Sequence, residues 1–188
     1  AIPTSTDGGQ EWKNAFISGP PLAAVTIVDT TIFAMYSNYG RLIRSPDMGA
    51  NWEKFDTDTI RHFQCNDGIP AWLAGSNNDL YFAMGNGCYP RLFHTPDRGE
   101  TWFNTNPESL AEQQLRDMIH TGNGLLAGTR LGVYQSTNHG DSFSVSHAGI
   151  NAAWIDDLFQ MSDGKWWAAA RQGIFRSADQ GQNWEAVF

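Results

Sequence analysis

The chain has 188 residues and carries a net charge of −8, with 12 Lys and Arg against 20 Asp and Glu. That balance excludes a nucleic-acid backbone as an expected partner, because phosphate recognition rests on clustered Lys and Arg. No apolar run reaches the roughly 18 residues of a membrane span, and the 19 glycines and 13% aromatic residues favour short strands and turns over long helices.

From the N-terminus, residues 2–17 read as two strands flanking the segment STDGGQEW, which begins at Ser5. AAVTIVDT and TIFAMYSNYGRLIR then read as three strands leading into SPDMGANW from Ser45. AWLAGSNN and DLYFAMGNGCYPRLFH repeat this order ahead of TPDRGETW from Thr95. The stretch Pro107–Leu115, with Asn106 as N-cap and Pro107 in the first turn, is the one helical expectation. DMIHTGNG and GLLAGTRLGVYQ precede STNHGDSF from Ser136, and DDLFQMSDG and KWWAAARQGIFR precede SADQGQNW from Ser177. Small and apolar residues dominate these strands, and turn residues end them.

Five segments therefore align without gaps on the pattern Ser/Thr-x-Asp-x-Gly-x-x-Trp. Their third positions, Asp7, Asp47, Asp97, Asn138 and Asp179, are spaced by 40, 50, 41 and 41 residues. A short carboxylate in a tight hairpin accepts hydrogen bonds from nearby backbone N–H groups. The Gly two residues later takes positive φ without steric conflict, and Trp12, Trp52, Trp102 and Trp184 supply large apolar plates for packing. The fourth copy carries Asn138 and Phe143 instead, which is expected to weaken that hairpin somewhat. The box residues are expected to be structural and none of them catalytic.

The pattern resembles the Asp-box, or BNR repeat, over nearly the whole chain. The resemblance implies an all-β fold, a small β-propeller of four-stranded blades with the box between the third and fourth strands. About 40 residues per unit suits a blade, and a blade cannot bury both faces alone. One domain over residues 1–188 is expected, with repeats at about 19–57, 58–105, 106–147 and 148–188 and a partial one at 1–18. This makes four complete repeats plus a partial first blade, about five blade positions. The partial blade leaves an edge strand that a second copy of the chain could cover, so self-association is one expectation. Because the first residue is Ala rather than Met, removal of a leader or a larger parent is also expected.

Eight residues before each box anchor stand Tyr39, Tyr89, Arg130 and Arg171, in the loops between second and third strands. Equivalent blades would bring them into a ring on one rim, where Arg forks onto carboxylates and Tyr stacks on flat faces. The long second complete repeat inserts residues 58–69, which adds Arg61 and His62 to the rim. Its two cysteines, Cys65 and Cys88, are placed for either a disulfide or two buried thiols. The histidines (His62, His94, His120, His139 and His147) show no metal-ligand spacing, so neither metal nor cofactor is expected. Asp156 and Asp157 begin a strand, where alternation would send them to opposite faces.

Related Asp-box proteins include sialidases, xyloglucanase-type glycoside hydrolases, sortilin-like receptor ectodomains and photosystem-assembly propellers. LLAGTRLGVYQSTNHGDSF and WWAAARQGIFRSADQGQNW are most similar to the last three groups. The Arg-Ile-Pro segment of sialidases is absent; ArgLeuIle at Arg41 and ArgLeuPhe at Arg91 are poor substitutes. The expected function is a non-catalytic binding module for a protein or glycan on the loop-bearing rim, in an extracytoplasmic or secreted setting. The alternative is a sialidase- or xyloglucanase-like glycoside hydrolase, or a piece of one, for which Asp67, Glu112 and Asp156 are the acids to test.

Overall fold

A computed structural model describes residues 2–5, 7–15, 21–36, 42–54, 71–76, 78–84, 91–105, 108–110, 113–122, 124–150 and 154–187. The expected Tyr39, Tyr89, Arg61, His62, Cys65, Cys88, Asp67 and Glu112 lie outside these residues.

Strands β1 (Ile2–Thr4) and β2 (Lys13–Ala15) form a two-stranded sheet around the first box. Four antiparallel four-stranded sheets follow, each in simple sequential order. Blade 1 comprises β3 (Leu22–Val28), β4 (Thr31–Tyr36), β5 (Leu42–Ser45) and β6 (Glu53–Lys54). Blade 2 comprises β7 (Ala71–Ser76), β8 (Asp79–Met84), β9 (Arg91–Thr95) and β10 (Phe103–Asn104). Blade 3 comprises β11 (Leu115–His120), β12 (Leu125–Thr129), β13 (Gly132–Ser136) and β14 (Ser144–Val145). Blade 4 comprises β15 (Ile155–Gln160), β16 (Trp166–Ala170), β17 (Gly173–Ser177) and β18 (Glu185–Ala186). The sheets stack as a β-propeller. Their first strands β3, β7, β11 and β15 lie side by side along the axis, where a cavity of about 240 Å³ draws lining residues from all four blades.

Much of the core lies between blades. Leu125 and Ala127 of β12 pack with Tyr81 and Leu92 of blade 2, whereas Leu126, the intervening residue, packs with Ile155 and Trp184 of blade 4. A second strand buried on both faces therefore reads as a continuous apolar run, as LLAGT does. The fourth strands of all four blades are two residues long, and short edge strands offer little template for unwanted pairing.

The boxes are built as five copies of one hydrogen-bond set. In each, the opening hydroxyl (Ser5, Ser45, Thr95, Ser136, Ser177) donates to the third-position side chain at 2.7–2.9 Å. The same hydroxyl accepts the N–H of the box glycine at 2.7–2.9 Å. The third-position oxygen accepts the backbone N–H four residues on. These donors hold the Asp47 carboxyl down at about 2, led by the backbone and side-chain N–H groups of Asn51, so it is ionised at neutral pH. The tryptophan does more than pack: Nε1 of Trp12, Trp52 and Trp184 donates to the carbonyl of its own box glycine.

The fourth box keeps this set with its polarity reversed. In boxes 2 and 5, Asn51 and Asn183 donate a side-chain N–H to the Asp; in box 4, Asn138 is the donor and Ser142 Oγ the acceptor, at 2.9 Å. The side-chain bond across the hairpin is thus kept, whereas Phe143 cannot make the indole bond to the box glycine.

Ser177 is 1% exposed, so its removal leaves the Gly181 N–H without its acceptor in a buried place. Ser177→Ala is expected to lower stability by about 1–3 kcal/mol, read as a shift in the urea midpoint at unchanged slope; an unshifted midpoint would show that water replaces the hydroxyl.

The residue between the box Asp and Gly is left-handed in each complete blade: Met48, Arg98, His139 and Gln180 have φ of 56–62°. Two of these side chains reach back to the preceding blade, Arg98 to Asp29 at 2.6 Å and His139 to Tyr81 at 2.9 Å. At the last junction the Gln180 carbonyl serves instead, accepting from Gln135 at 3.5 Å.

The expected helix at Pro107–Leu115 is replaced by a single 3-10 turn, Glu108–Leu110, followed by β11 from Leu115. Gln114 sits at φ 49°, which no right-handed helix can pass through, and the Gln113 carbonyl is taken by Arg130 N–H at 3.1 Å. Burial of Leu110 and Leu115 in the core between blades 2 and 3 outweighs the local helical preference of the segment.

Candidate functional site

Boxes and first-to-second-strand turns share one face, as the Arg98 contacts with Asn78 and Asp29 require. The second-to-third-strand turns and the approach to β15 occupy the other. Here Arg130 caps the β12–β13 turn, which Thr129 braces by accepting Leu131 N–H at 3.0 Å and donating to Gly132 O at 2.9 Å. Arg171 caps the equivalent β16–β17 turn, and its backbone N–H reaches the Trp154 carbonyl at 3.3 Å.

The two expected arginines meet on one indole. The guanidinium carbon of Arg171 lies 3.4 Å from the Trp154 ring centre and that of Arg130 lies 3.9 Å from it, with Arg116 at 5.6 Å. Stacking on an aromatic face holds a guanidinium while leaving its N–H edge free to donate. Trp154 is fixed in turn by its indole N–H, which donates to Asp156 Oδ1 at 2.9 Å, and Arg116 donates to the same oxygen at 3.2 Å. Trp154 also holds φ at 82°, a strained conformation for a bulky residue that the surrounding contacts must maintain. Among the described residues neither Arg130 nor Arg171 forms an ion pair with a carboxylate. The result is a preorganised cationic platform with two unspent guanidinium forks.

Trp154 and Arg116 carry no box signature, and the repeat reading passed over them. A signal was present. Leu115-Arg116-Asp117-Met118 and Ile155-Asp156-Asp157-Leu158 stand 40 residues apart at matching places in their blades. In both, the register shifts at the second residue, so Arg116 and Asp156 are the extra residues of β-bulges. The bulge also interrupts alternation, and Asp156 and Asp157 are both exposed rather than sent to opposite faces.

Asp117 and Asp157 follow those bulges on neighbouring first strands. Asp117 Oδ2 accepts Leu158 N–H at 2.7 Å, tying blade 3 to blade 4. Burial pushes the Asp117 carboxyl up to about 6, against the Leu158 and Met118 N–H groups and with help from the nearby, hydrogen-bonding Asp157.

No protein-family profile matches the chain. It is 25% identical over 197 residues to the photosystem II assembly lipoprotein Ycf48 of Synechococcus sp. (strain CC9902), covering 96% of this chain and 54% of that protein. The structure of YCF48 bound to D1 peptide superposes with a TM-score of 0.63 at 16% identity, covering 87% of this chain and 52% of the other. The chain is an Asp-box β-propeller. This propeller also matches the GH74 enzyme of Niastella koreensis, with a TM-score of 0.60 at 19% identity over 84% of this chain and 22% of that one. It spans about half the length of the Ycf48 proteins it matches. Among the described residues, no helix of the propeller is long and apolar enough to cross a membrane.

Proposed function

We propose that this propeller is a non-catalytic binding module that takes a carboxylate-bearing segment of a partner protein on its loop-bearing rim. The observation that carries the reading is the stacking of Arg130 and Arg171 on Trp154, with neither guanidinium ion-paired to a carboxylate among the described residues. Two guanidinium forks beside an aromatic plate suit a peptide carboxylate, from a chain terminus or an acidic side chain. The likeness to a propeller solved with a peptide supports the choice of a protein over a glycan. Tyr39, Tyr89, Arg61 and His62 lie outside the described residues; repeat spacing for the two tyrosines, and the insertion that carries Arg61 and His62, make all four candidates for the same rim. An extracytoplasmic setting fits the relatives, among them a lipoprotein and the extracellular domain of BT4673.

The D1 peptide seen with YCF48 is the first probe, beside acidic peptides with free and amidated C-termini and a glycan panel. Arg130→Ala/Arg171→Ala is expected to weaken peptide binding by at least tenfold, roughly 1.4 kcal/mol or more, and the wild-type affinity should fall with added salt. Replacing Tyr39 and Tyr89 as well should abolish it. Unchanged affinity in the double variant, or binding to neutral glycans alone, would overturn the reading.

A glycoside hydrolase needs two carboxyl groups roughly 5–10 Å apart flanking the sugar. Among the described acids, Asp117 and Asp157 are within hydrogen-bonding distance of each other, closer than that spacing. Asp156, one of the expected hydrolase acids, is engaged by Trp154 and Arg116. These contacts favour binding over hydrolysis.

A further inference from the structure

On the box-bearing face, away from the arginine platform, three side chains converge at the junction of blades 2 and 3. Asp79 opens β8, His94 lies on β9, and His139 is the left-handed residue of the blade 3 box. One potential ligand atom from each, an imidazole nitrogen or a carboxylate oxygen, falls within 4.8 Å of the other two. We propose that Asp79, His94 and His139 form a binding site for a divalent transition metal, best suited to zinc, that fastens blade 2 to blade 3.

Two of the three ligands are already set at nearly the required separation. His94 Nε2 stands 3.0 Å from Asp79 Oδ1. Zinc–nitrogen and zinc–oxygen bonds of about 2.0–2.2 Å at tetrahedral angles place ligand atoms roughly 3.3–3.5 Å apart. The His94 ring is locked in this pose by stacking on Tyr81, with centroids 4.4 Å apart and planes 9° from parallel. His94 is only 7% exposed, so its orientation is fixed by packing rather than by solvent.

The third ligand is the adjustable one. His139 is exposed, stands 5.1 Å ring to ring from His94, and is steadied by Tyr81 Oη at 2.9 Å from its Nδ1. Closing on the metal requires a movement of about 1–2 Å by a surface side chain whose backbone the box already holds. Tyr81 thus orients both imidazoles, the supporting role that outer hydrogen bonds play at metal centres.

The donor set decides the class of ion. Two imidazole nitrogens and one carboxylate suit zinc and its neighbours cobalt, nickel and copper, whereas magnesium and calcium call for oxygen ligands. The exposed side leaves a fourth position to water, so the metal would exchange with chelators. The repeat spacing hid this site because its ligands come from different strands and different blades; only lateral packing brings them together.

The test is titration of chelator-treated, full-length protein with zinc chloride, followed by calorimetry and by thermal unfolding, with magnesium chloride as the comparison. One equivalent of zinc is expected to bind and to raise the unfolding temperature, and magnesium to do neither. Cobalt should give visible absorption bands of four-coordinate geometry. His139→Asn keeps a residue that tolerates the left-handed turn and should weaken zinc at least tenfold; because it also gives up the Tyr81 bond, its zinc-induced rise in unfolding temperature is read against its own metal-free value. Asp79→Asn should also weaken it. Absence of zinc binding, or equal affinity in wild type and His139→Asn, would overturn the proposal.

Discussion

Gly149→Ala is expected to destabilise the propeller by about 3–4 kcal/mol, a large part of the 5–15 kcal/mol that holds a typical domain together. Gly149 turns the chain from blade 3 into blade 4 at φ +90°, which alone costs an L-residue about 1–2 kcal/mol. An added Cβ would also lie 1.9 Å from the Trp184 carbonyl oxygen. Backbone cannot swing aside as a side-chain tip can. The turn must move, and with it the 2.7 Å bond from Trp184 N–H to the Ala148 carbonyl and the Ala148–Asn183 bridge. Trp184 is 5% exposed and belongs to the blade 3–blade 4 core, so the displacement propagates into packing. Gly164→Ala is the matched comparison: its φ is +81°, but nothing lies within 4 Å of the added carbon. It should cost only the conformational part, about 1 kcal/mol. Urea denaturation of the two variants measures the difference; equal midpoints would mean that the Trp184 contact relaxes freely.

Asp117→Asn is expected to stabilise the protein at neutral pH. The folded carboxyl titrates at about 6 against an ordinary value of 3.8, chiefly because burial disfavours its charge. The folded state therefore retains a proton that the unfolded state releases, and stability falls as pH rises from about 4 to about 6. Above that range the full penalty, on the order of 3 kcal/mol, is in force. Below about pH 4 both states are protonated and the penalty vanishes. Asparagine can still accept the Leu158 N–H and can donate to Asp157 without carrying charge. Unfolding free energies of the two proteins should converge near pH 4 and separate by pH 7, with the variant above. Parallel curves across that range would show that the Asp117 carboxyl titrates normally.

What the sequence disclosed follows from what a repeat encodes. Ser5, Asp7 and their counterparts recur because each hairpin is a local structure, closed by bonds spanning two to four residues. Counting back from those anchors leads to Arg130 and Arg171 in the β12–β13 and β16–β17 turns, since blade geometry repeats with the motif. Contacts between blades obey no such spacing. Trp154 lies just before β15, at the place Gln114 holds before β11, and nothing in the repeat marks it as the residue that receives both arginines. The Asp117–Asp157 pair depends on two bulges that shift a strand by one residue, and bulges leave only a faint trace in composition. Gly149 was one glycine among many until the Trp184 carbonyl appeared beside it. Helical preference around residues 107–115 was real but lost to the burial of Leu110 and Leu115.

The left-handed residue of each box has a consequence for how such a chain could evolve. Its backbone is dictated by the hairpin, but its side chain is under no demand from the hairpin's own bonds. In this protein that freedom has gone in different directions: an arginine paired with Asp29, a histidine joined to Tyr81, and a glutamine whose backbone carbonyl accepts from Gln135. After tandem duplication, copies that begin identical can diverge at this one position without disturbing their own folding. Each junction then acquires a distinct lock, and neighbours cease to be interchangeable. A chain with blades 2 and 3 exchanged would keep every hairpin and lose both side-chain locks, so the order of near-identical units is protected by the most variable residue of their shared motif.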